Sequence, residues 1–230
     1  MNFENIELFV FDIAGTTVNE TFIVHEKLIE AFGDFGYEID IEIANKSIAV
    51  PKSVGISKIL TENFQIESKQ LTSNIHQAFL SKIDAYYSTS TDINETDGSS
   101  ILFDYLKKRG VKIFLDTGFN RKTASIIINR LKWASKIDGF IASDEVKNGR
   151  PFPDMIIKAM FLSNCKKASN VIKVGDTKAD MIQGKRSGCR YVIGVESGIY
   201  SAVELIEAGA DLVVQNPNEI LHLLKEKWLI

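Results

Sequence analysis

The sequence predicts an α/β protein: a doubly wound parallel sheet with a small helical domain inserted after the first strand. Three observations carry this. Six short apolar runs, mostly rich in β-branched residues, read as buried strands: Ile6 to Phe11, Val111 to Leu115, Gly139 to Ala142, Val171 to Val174, Tyr191 to Val195 and Asp211 to Val214. From about residue 98 onward these alternate with amphipathic helical segments. Residues 18–90 break that alternation, with helical periodicity and no convincing strand.

Each element has a local reason. Ser99 to Arg109 sets Ile101, Leu102, Tyr105 and Leu106 on one helical face and stops at Gly110, a natural C-cap. Arg121 to Trp133, Lys178 to Ser187 and Ser201 to Ala208 follow the same pattern. Within the insert, Thr21 to Phe35, Ile41 to Lys46 and Ser68 to Tyr87 are expected helices, and the polar stretch from Ser88 to Gly98 returns the chain to the sheet. The expected domains are therefore a core of residues 1–17 and 91–230 and a helical cap of residues 18–90, closing over the carboxyl end of the first strand.

Composition narrows the class. The 230 residues are 45% hydrophobic and 25% charged, with a formal net charge of -3. Nothing in these totals favours a nucleic-acid or membrane surface. Two cysteines, Cys165 and Cys189, lack metal-type spacing and read as reduced thiols. With no signal-peptide pattern and no apolar run of 18 residues, a cytoplasmic protein is expected.

The chemistry concentrates at strand ends. Phe9-Val10-Phe11-Asp12-Ile13-Ala14-Gly15-Thr16-Thr17 ends an apolar strand on a carboxylate and opens at once into a Gly/Thr turn. Open α/β sheets work at that edge, and a carboxylate beside backbone N–H groups suits an aspartyl nucleophile. Asp116-Thr117-Gly118 follows the second strand and offers a hydroxyl and an N–H to a phosphoryl oxygen. Gly149-Arg150-Pro151-Phe152-Pro153 offers a guanidinium fork. Val174-Gly175-Asp176-Thr177-Lys178-Ala179-Asp180 brings two more carboxylates, and the set is oxygen-rich in the way Mg²⁺ requires. Taken singly, each aspartate reads equally as a helix N-cap, Thr117 as a turn hydroxyl and Arg150 as a surface ion pair. Four such elements in order, each at a strand's carboxyl end, point to catalysis.

That combination resembles the haloacid dehalogenase superfamily, and Asp12-Ile13-Ala14-Gly15-Thr16-Thr17 resembles its phosphonatase (phosphonoacetaldehyde hydrolase) branch, in which alanine replaces the second aspartate of the first motif and arginine the usual third-motif lysine. The resemblance implies that Asp12 attacks phosphorus, that Asp12, the Ala14 carbonyl and Asp176 hold Mg²⁺ with Asp180 in support, and that Gly15, Thr16, Thr117, Gly118 and Arg150 bind the phosphoryl group. It implies a catalytic role for Lys52, which falls where the branch carries its Schiff-base lysine; exposure on a loop and non-covalent substrate sensing are the other readings. Gly55 and Phe119 stand where the branch has histidine and tyrosine, and Ile48-Ala49-Val50-Pro51 also departs from its pattern. The expected function is a Mg²⁺-dependent hydrolase of a small phosphorylated or phosphonate substrate, cleaving a P–C or P–O bond. A phosphatase of the phosphoglycolate phosphatase type and a catalytically weak phosphate-binding relative are the alternatives. The cap is a candidate homodimer surface. His25, His76 and His222 read mainly as ordinary helix residues, with His25 the one able to face a cleft, and Phe22, Phe32, Phe35 and Phe64 as cap core.

Overall fold

The computed structural model describes residues 2–20, 22–47 and 51–227. Six parallel strands form one sheet in the order β5-β4-β1-β6-β7-β8: β1 (Leu8–Asp12), β4 (Lys112–Thr117), β5 (Gly139–Ala142), β6 (Val171–Gly175), β7 (Tyr191–Val195) and β8 (Leu212–Val214). The sheet grows outward from β1 to β4 and β5 on one side, then to β6, β7 and β8 on the other. β1 is thus where the winding reverses, the position at which such sheets open a crevice beyond their carboxyl ends.

Every residue of β1 is buried, as expected for a central strand covered on both faces. Phe9 and Phe11 face a core shared with α5 (Ser99–Lys108), α6 (Arg121–Arg130) and α10 (Pro217–Lys227). Leu8 and Val10 face a second cluster with α7 (Asp154–Ser163) and α8 (Lys178–Ser187). The inner face of α5 is rotated from its expected position. Leu102, Phe103 and Leu106 are buried while Ile101 points outward, because Phe103 stacks edge-on against both Phe11 and Trp133. α6 stops at Arg130, and Trp133 opens a separate 3-10 turn with its indole N–H donated to Glu95 and Ser100. The α9 helix (Ala202–Glu207) is capped by Ser201. Helices α7 and α10 were not anticipated; α7 keeps Ile157, Phe161 and Leu162 exposed, which obscures its apolar stripe.

The segment between β1 and β4 is helical, as expected: α1 (Ile23–Gly33), α2 (Ile41–Asn45), α3 (Lys52–Phe64) and α4 (Lys69–Thr89). α3 is additional to the expected three, and its apolar face (Ile56, Ile59, Leu60) is fully buried. Thr21, the expected start of α1, lies outside the described residues. The segment leaves and returns through a short antiparallel ladder, β2 (Val18–Asn19) against β3 (Asn94–Glu95). The Thr17 carbonyl ties that return to the first motif, accepting from the Thr96 N–H and from the Ser99 hydroxyl.

α4 also docks on the sheet domain. Asp84, nearly buried, accepts from the Thr123 hydroxyl at 2.6 Å and from Lys122 at 2.8 Å. Lys122 is 76% exposed, so that ion pair contributes little. The buried hydroxyl bond dominates, since removing Asp84 would orphan Thr123. Asp84→Ala is expected to lower unfolding stability by about 1–3 kcal/mol with an unchanged urea m-value, and Lys122→Ala by less than about 1 kcal/mol. Equal effects of the two changes in urea titrations would contradict this ranking.

Candidate active site

Strand register alone assembles the floor of the site. Asp12 is the direct partner of Asp116 on β4, and Lys173 on β6 pairs with Val10, two residues before Asp12. Strand side chains alternate faces, so Asp12, Asp116 and Lys173 project from the same face at its carboxyl edge. Arg150 comes from the loop before α7, and Asp180 from the first turn of α8.

These five residues form a buried charge network. Arg150 bridges Asp12 (2.8 Å) and Asp180 (2.6 Å), and Lys173 bridges Asp180 (3.0 Å) and Asp116. Burial alone would raise Asp180, but Arg150 and Lys173 outweigh it and hold this carboxyl below the usual range. Burial likewise opposes the charge on Lys173, and Asp116 with Asp180 reverses that and raises it. Asp12 is less compensated: burial lifts it to about 6 against the pull of Arg150. Its Oδ2 is held by Arg150, and its Oδ1 has no hydrogen-bond partner.

Asp176 lies next to this group. It accepts from the Thr16 hydroxyl at 3.0 Å and the Ser197 hydroxyl at 2.8 Å, and burial, then Asp12 and Asp180, push it well above the ordinary carboxylate range. Gly15 makes its position possible. With φ +78°, a Cβ at residue 15 would fall 2.2 Å from Asp176 Oδ2.

Asp12, Ala14, Gly15, Thr117, Gly118, Arg150 and Asp176 line a cavity whose other walls include Glu20, Phe22, His25, Lys52 and Phe119. Lys52, the first residue of α3, donates to the Ser47 carbonyl at 3.0 Å. Burial, and then Arg150, lower its amine to about 8 against the opposing pull of Glu20 and Asp12. His25 is buried, with Nε2 2.7 Å from Asn45 Oδ1 and no partner for Nδ1.

A family model described as haloacid dehalogenase-like hydrolase matches residues 9–194. The chain belongs to the haloacid dehalogenase-like hydrolases. It is 32% identical over 209 residues to a phosphonoacetaldehyde hydrolase of Bacillus mycoides, covering 84% of this chain and 76% of that protein. It is 24% identical to a phosphorylated carbohydrates phosphatase of Thermotoga maritima, covering 96% of this chain and 99% of that one. A solved phosphonoacetaldehyde hydrolase-like protein from Oleispira antarctica superposes with a TM-score of 0.84 at 20% identity, over 99% of this chain and 94% of the other. A hydrolase from Pseudomonas syringae gives 0.85 at 22%, over 96% and 98%. At these identities the two structures speak to the fold.

This hydrolase therefore gathers Asp12, Ala14, Gly15, Lys52, Thr117, Gly118, Arg150 and Asp176 around one cavity, with Asp180 beneath it holding Arg150. Two expectations change. The Thr16 hydroxyl is committed to Asp176, and the Gly15 and Thr16 N–H groups close their own turn onto Val18 and Ile13, so this turn is not a ring of free donors. The three carboxylates that converge within 4.8 Å are Asp12, Asp116 and Asp180, with Asp116 in place of Asp176. Asp180 also forms a capping box with Thr177, the N-cap of α8. Thr117 accepts from the Phe119 N–H at 3.1 Å, which leaves its own hydroxyl proton to donate. Ile48 to Val50 lie outside the described residues.

Sequence reasoning missed Lys173 and Glu20. Lys173 had a signal: a lysine inside Val171-Ile172-Lys173-Val174 is a charge in a buried strand and demands carboxylate partners. Glu20 had none, since its burial depends on the insert folding over it. His25 and Phe22, read mainly as ordinary helix and cap-core residues, line the cavity.

With Lys52 lowered to about 8 from an ordinary 10.5, its ammonium persists below pH 8 and the free amine dominates above it. Reductive methylation followed by peptide mass spectrometry is expected to reach half-maximal rate at Lys52 near pH 8, well below the pH of about 10.4 typical of unperturbed lysine side chains. A Lys52 profile coinciding with theirs would refute the desolvated amine.

Proposed function

We propose that this protein is a Mg²⁺-dependent, phosphonatase-like hydrolase that cleaves a P–C or P–O bond in a small organophosphorus substrate through Asp12. The observation that carries the reading is Asp12 itself. One carboxylate oxygen is fixed by Arg150 while the other has no hydrogen-bond partner among the described residues, on a residue that lines the cavity, as suits an oriented nucleophile.

The residues present suit a hard divalent cation. Three converging aspartates outnumber the two cationic side chains that pair with them, and Asp176 adds a further buried carboxyl whose charge burial, Asp12 and Asp180 oppose. Asp12, the Ala14 carbonyl and Asp176 would hold Mg²⁺, with Asp180 supporting them through Arg150. Bound there, the ion would neutralise charge on the phosphoryl oxygens. Arg150, the Thr117 hydroxyl and the Gly118 backbone would bind the phosphoryl group and the charge that develops on it. Helices of residues 18–90 would act as a cap that excludes water, with Lys52 as the residue reaching the far end of the substrate. A cytoplasmic setting belongs to the same proposal, supported by two free buried thiols, of which Cys189 is pushed up to about 12 by burial.

Cleavage of a P–C bond is favoured by Ala14 and by the lowered amine of Lys52. A Schiff base at that amine would draw the C–P electron pair into an enamine while phosphorus passes to Asp12. A phosphatase reading is favoured by Gly55 and Phe119, which remove the imidazole and phenol that the phosphonatase branch carries at these positions.

The test is phosphate release from phosphonoacetaldehyde with Mg²⁺, with and without borohydride. Wild-type release that borohydride blocks, and that Lys52→Ala and Asp12→Asn each reduce by at least about 10³-fold, is the expected result. Release that persists in a folded Asp12→Asn would overturn the aspartyl mechanism. Absence of release, with turnover of phosphate esters, would transfer the reading to the phosphatase.

A further inference from the structure

The hydrolase lacks the carboxylate that a phosphatase of this family would carry two residues after Asp12, because position 14 is alanine. Something must still supply a proton to a poor leaving group and take one from the attacking water, a contribution of about 10²–10⁴-fold. Only one other carboxyl group lines the cavity besides Asp12 and Asp176 among the described residues, and that is Glu20.

Glu20 follows β2, where the chain enters the helical insert. It is 8% exposed. Oε1 accepts from the Val24 N–H at 3.2 Å, and Oε2 has no hydrogen-bond partner among the described residues. A buried, unpartnered carboxyl oxygen is costly and needs an explanation. A bond to a reacting group would supply one, and Asp12 Oδ1 is unpartnered in the same cavity.

We propose that Glu20 is the general acid–base residue of this enzyme, replacing the carboxylate missing at position 14. The proposal rests on the aspartyl-hydrolase reading above. In the first half-reaction a new bond forms between Asp12 and phosphorus, the bond from phosphorus to the leaving atom breaks, and that atom's electron pair takes the proton from the Glu20 carboxylic acid. In the second, the Glu20 carboxylate takes a proton from water as the water oxygen bonds to phosphorus, releasing phosphate and restoring Asp12. The sum is substrate plus water giving the protonated leaving group plus phosphate.

The surroundings suit both roles. Burial raises Glu20 to about 8, the Val24 N–H bond opposes this, Asp12 adds to it and Lys52 subtracts. The acid is therefore protonated at neutral pH and close enough to it to cycle. Asp176, His25 and Arg150 are the other titratable groups that line the cavity among the described residues. Burial lowers His25 and Asn45 engages its Nε2, so it is neutral at pH 7 and a weaker acid candidate, and Arg150 remains a cation.

The test compares single-turnover leaving-group release from glycerol 1-phosphate, whose alkoxide needs a proton, with that from acetyl phosphate, whose carboxylate does not. Glu20→Gln is expected to slow the first by about 10²–10⁴-fold and the second by less than about 10-fold. Difference infrared spectra should show a protonated carboxyl at pH 7 that Glu20→Gln removes. Equal slowing of both substrates, no slowing of either, or no such band would overturn the proposal. If Glu20→Gln does not fold, the wild-type leaving-group series decides: a shallow dependence of rate on leaving-group pKa supports an acid, and a steep one refutes it. Failure of the underlying reading looks different, because Asp12→Asn would then leave both releases intact, which overturns the Glu20 proposal as well; a wild type that releases neither leaving group overturns the Glu20 proposal alone, since cleavage of a P–C bond through Asp12 would not need this acid.

Discussion

The constraint on which this site depends is the burial of more negative charge than its own cations neutralise. Asp12 and Asp116 near the ends of β1 and β4 meet Asp180 in the first turn of α8, and Arg150 with Lys173 ties them together. Unpaired, each carboxylate would cost several kcal/mol to bury. Paired, they fix the rotamers of one another, and the cost becomes rigidity. Among the described residues Asp12 and Asp116 each keep one oxygen without a hydrogen-bond partner, and of the two it is Asp12 that lines the cavity. Asp12 stays ionisable because Arg150 is shared between Asp12 and Asp180 while Lys173 pairs with Asp180 and Asp116 instead.

Geometry around this network leaves little slack. Gly15 lets Asp176 approach the turn, and Gly175 does the same for Asp180, where a Cβ would lie 2.3 Å from the carboxyl carbon. The Thr17 hydroxyl holds the Asp12 carbonyl at 2.8 Å, while the Thr17 carbonyl receives the chain returning from the insert. The turn after Asp12 and the two crossings of the insert are therefore one hydrogen-bonded unit. Movement of the helices would be transmitted to the residues just after Asp12, and α4 limits that movement through Asp84 and through the Tyr87–Phe119 ring contact at 5.6 Å.

Much of the sheet was legible because buried parallel strands are continuous apolar runs, and Gly139 to Ala142 and Tyr191 to Val195 match residue for residue. The carboxyl-edge motifs were legible for the same reason, since strand ends fix where their next residue points. Helices were legible only where one face was cleanly apolar. α3 and α7 were not, because Val54 and Ile157 are exposed beside buried neighbours. Lys173 was hidden by reading a strand for its hydrophobicity without asking what pairs its charge. Glu20, His25 and Phe22 were hidden for a deeper reason: they meet the cavity only after residues far apart in sequence have packed, and no local spacing encodes that.

Ala14 then reads differently than it does in the sequence. Alone it argues for a reaction that needs no acid. Beside Glu20 it leaves room for an acid delivered from the insert side, on the segment that also begins the helical insert. Such an acid would be in place only when the insert is closed, whereas a carboxylate two residues from the nucleophile is always present. Tying the proton donor to closure would suppress the transfer of phosphoryl groups to bulk water before a substrate has filled the cavity. Lys52 lies on the same segment and lines the same cavity. The sheet would thus supply the general phosphoryl chemistry, and the insert both the proton and the recognition, which is how one core can serve several organophosphorus substrates.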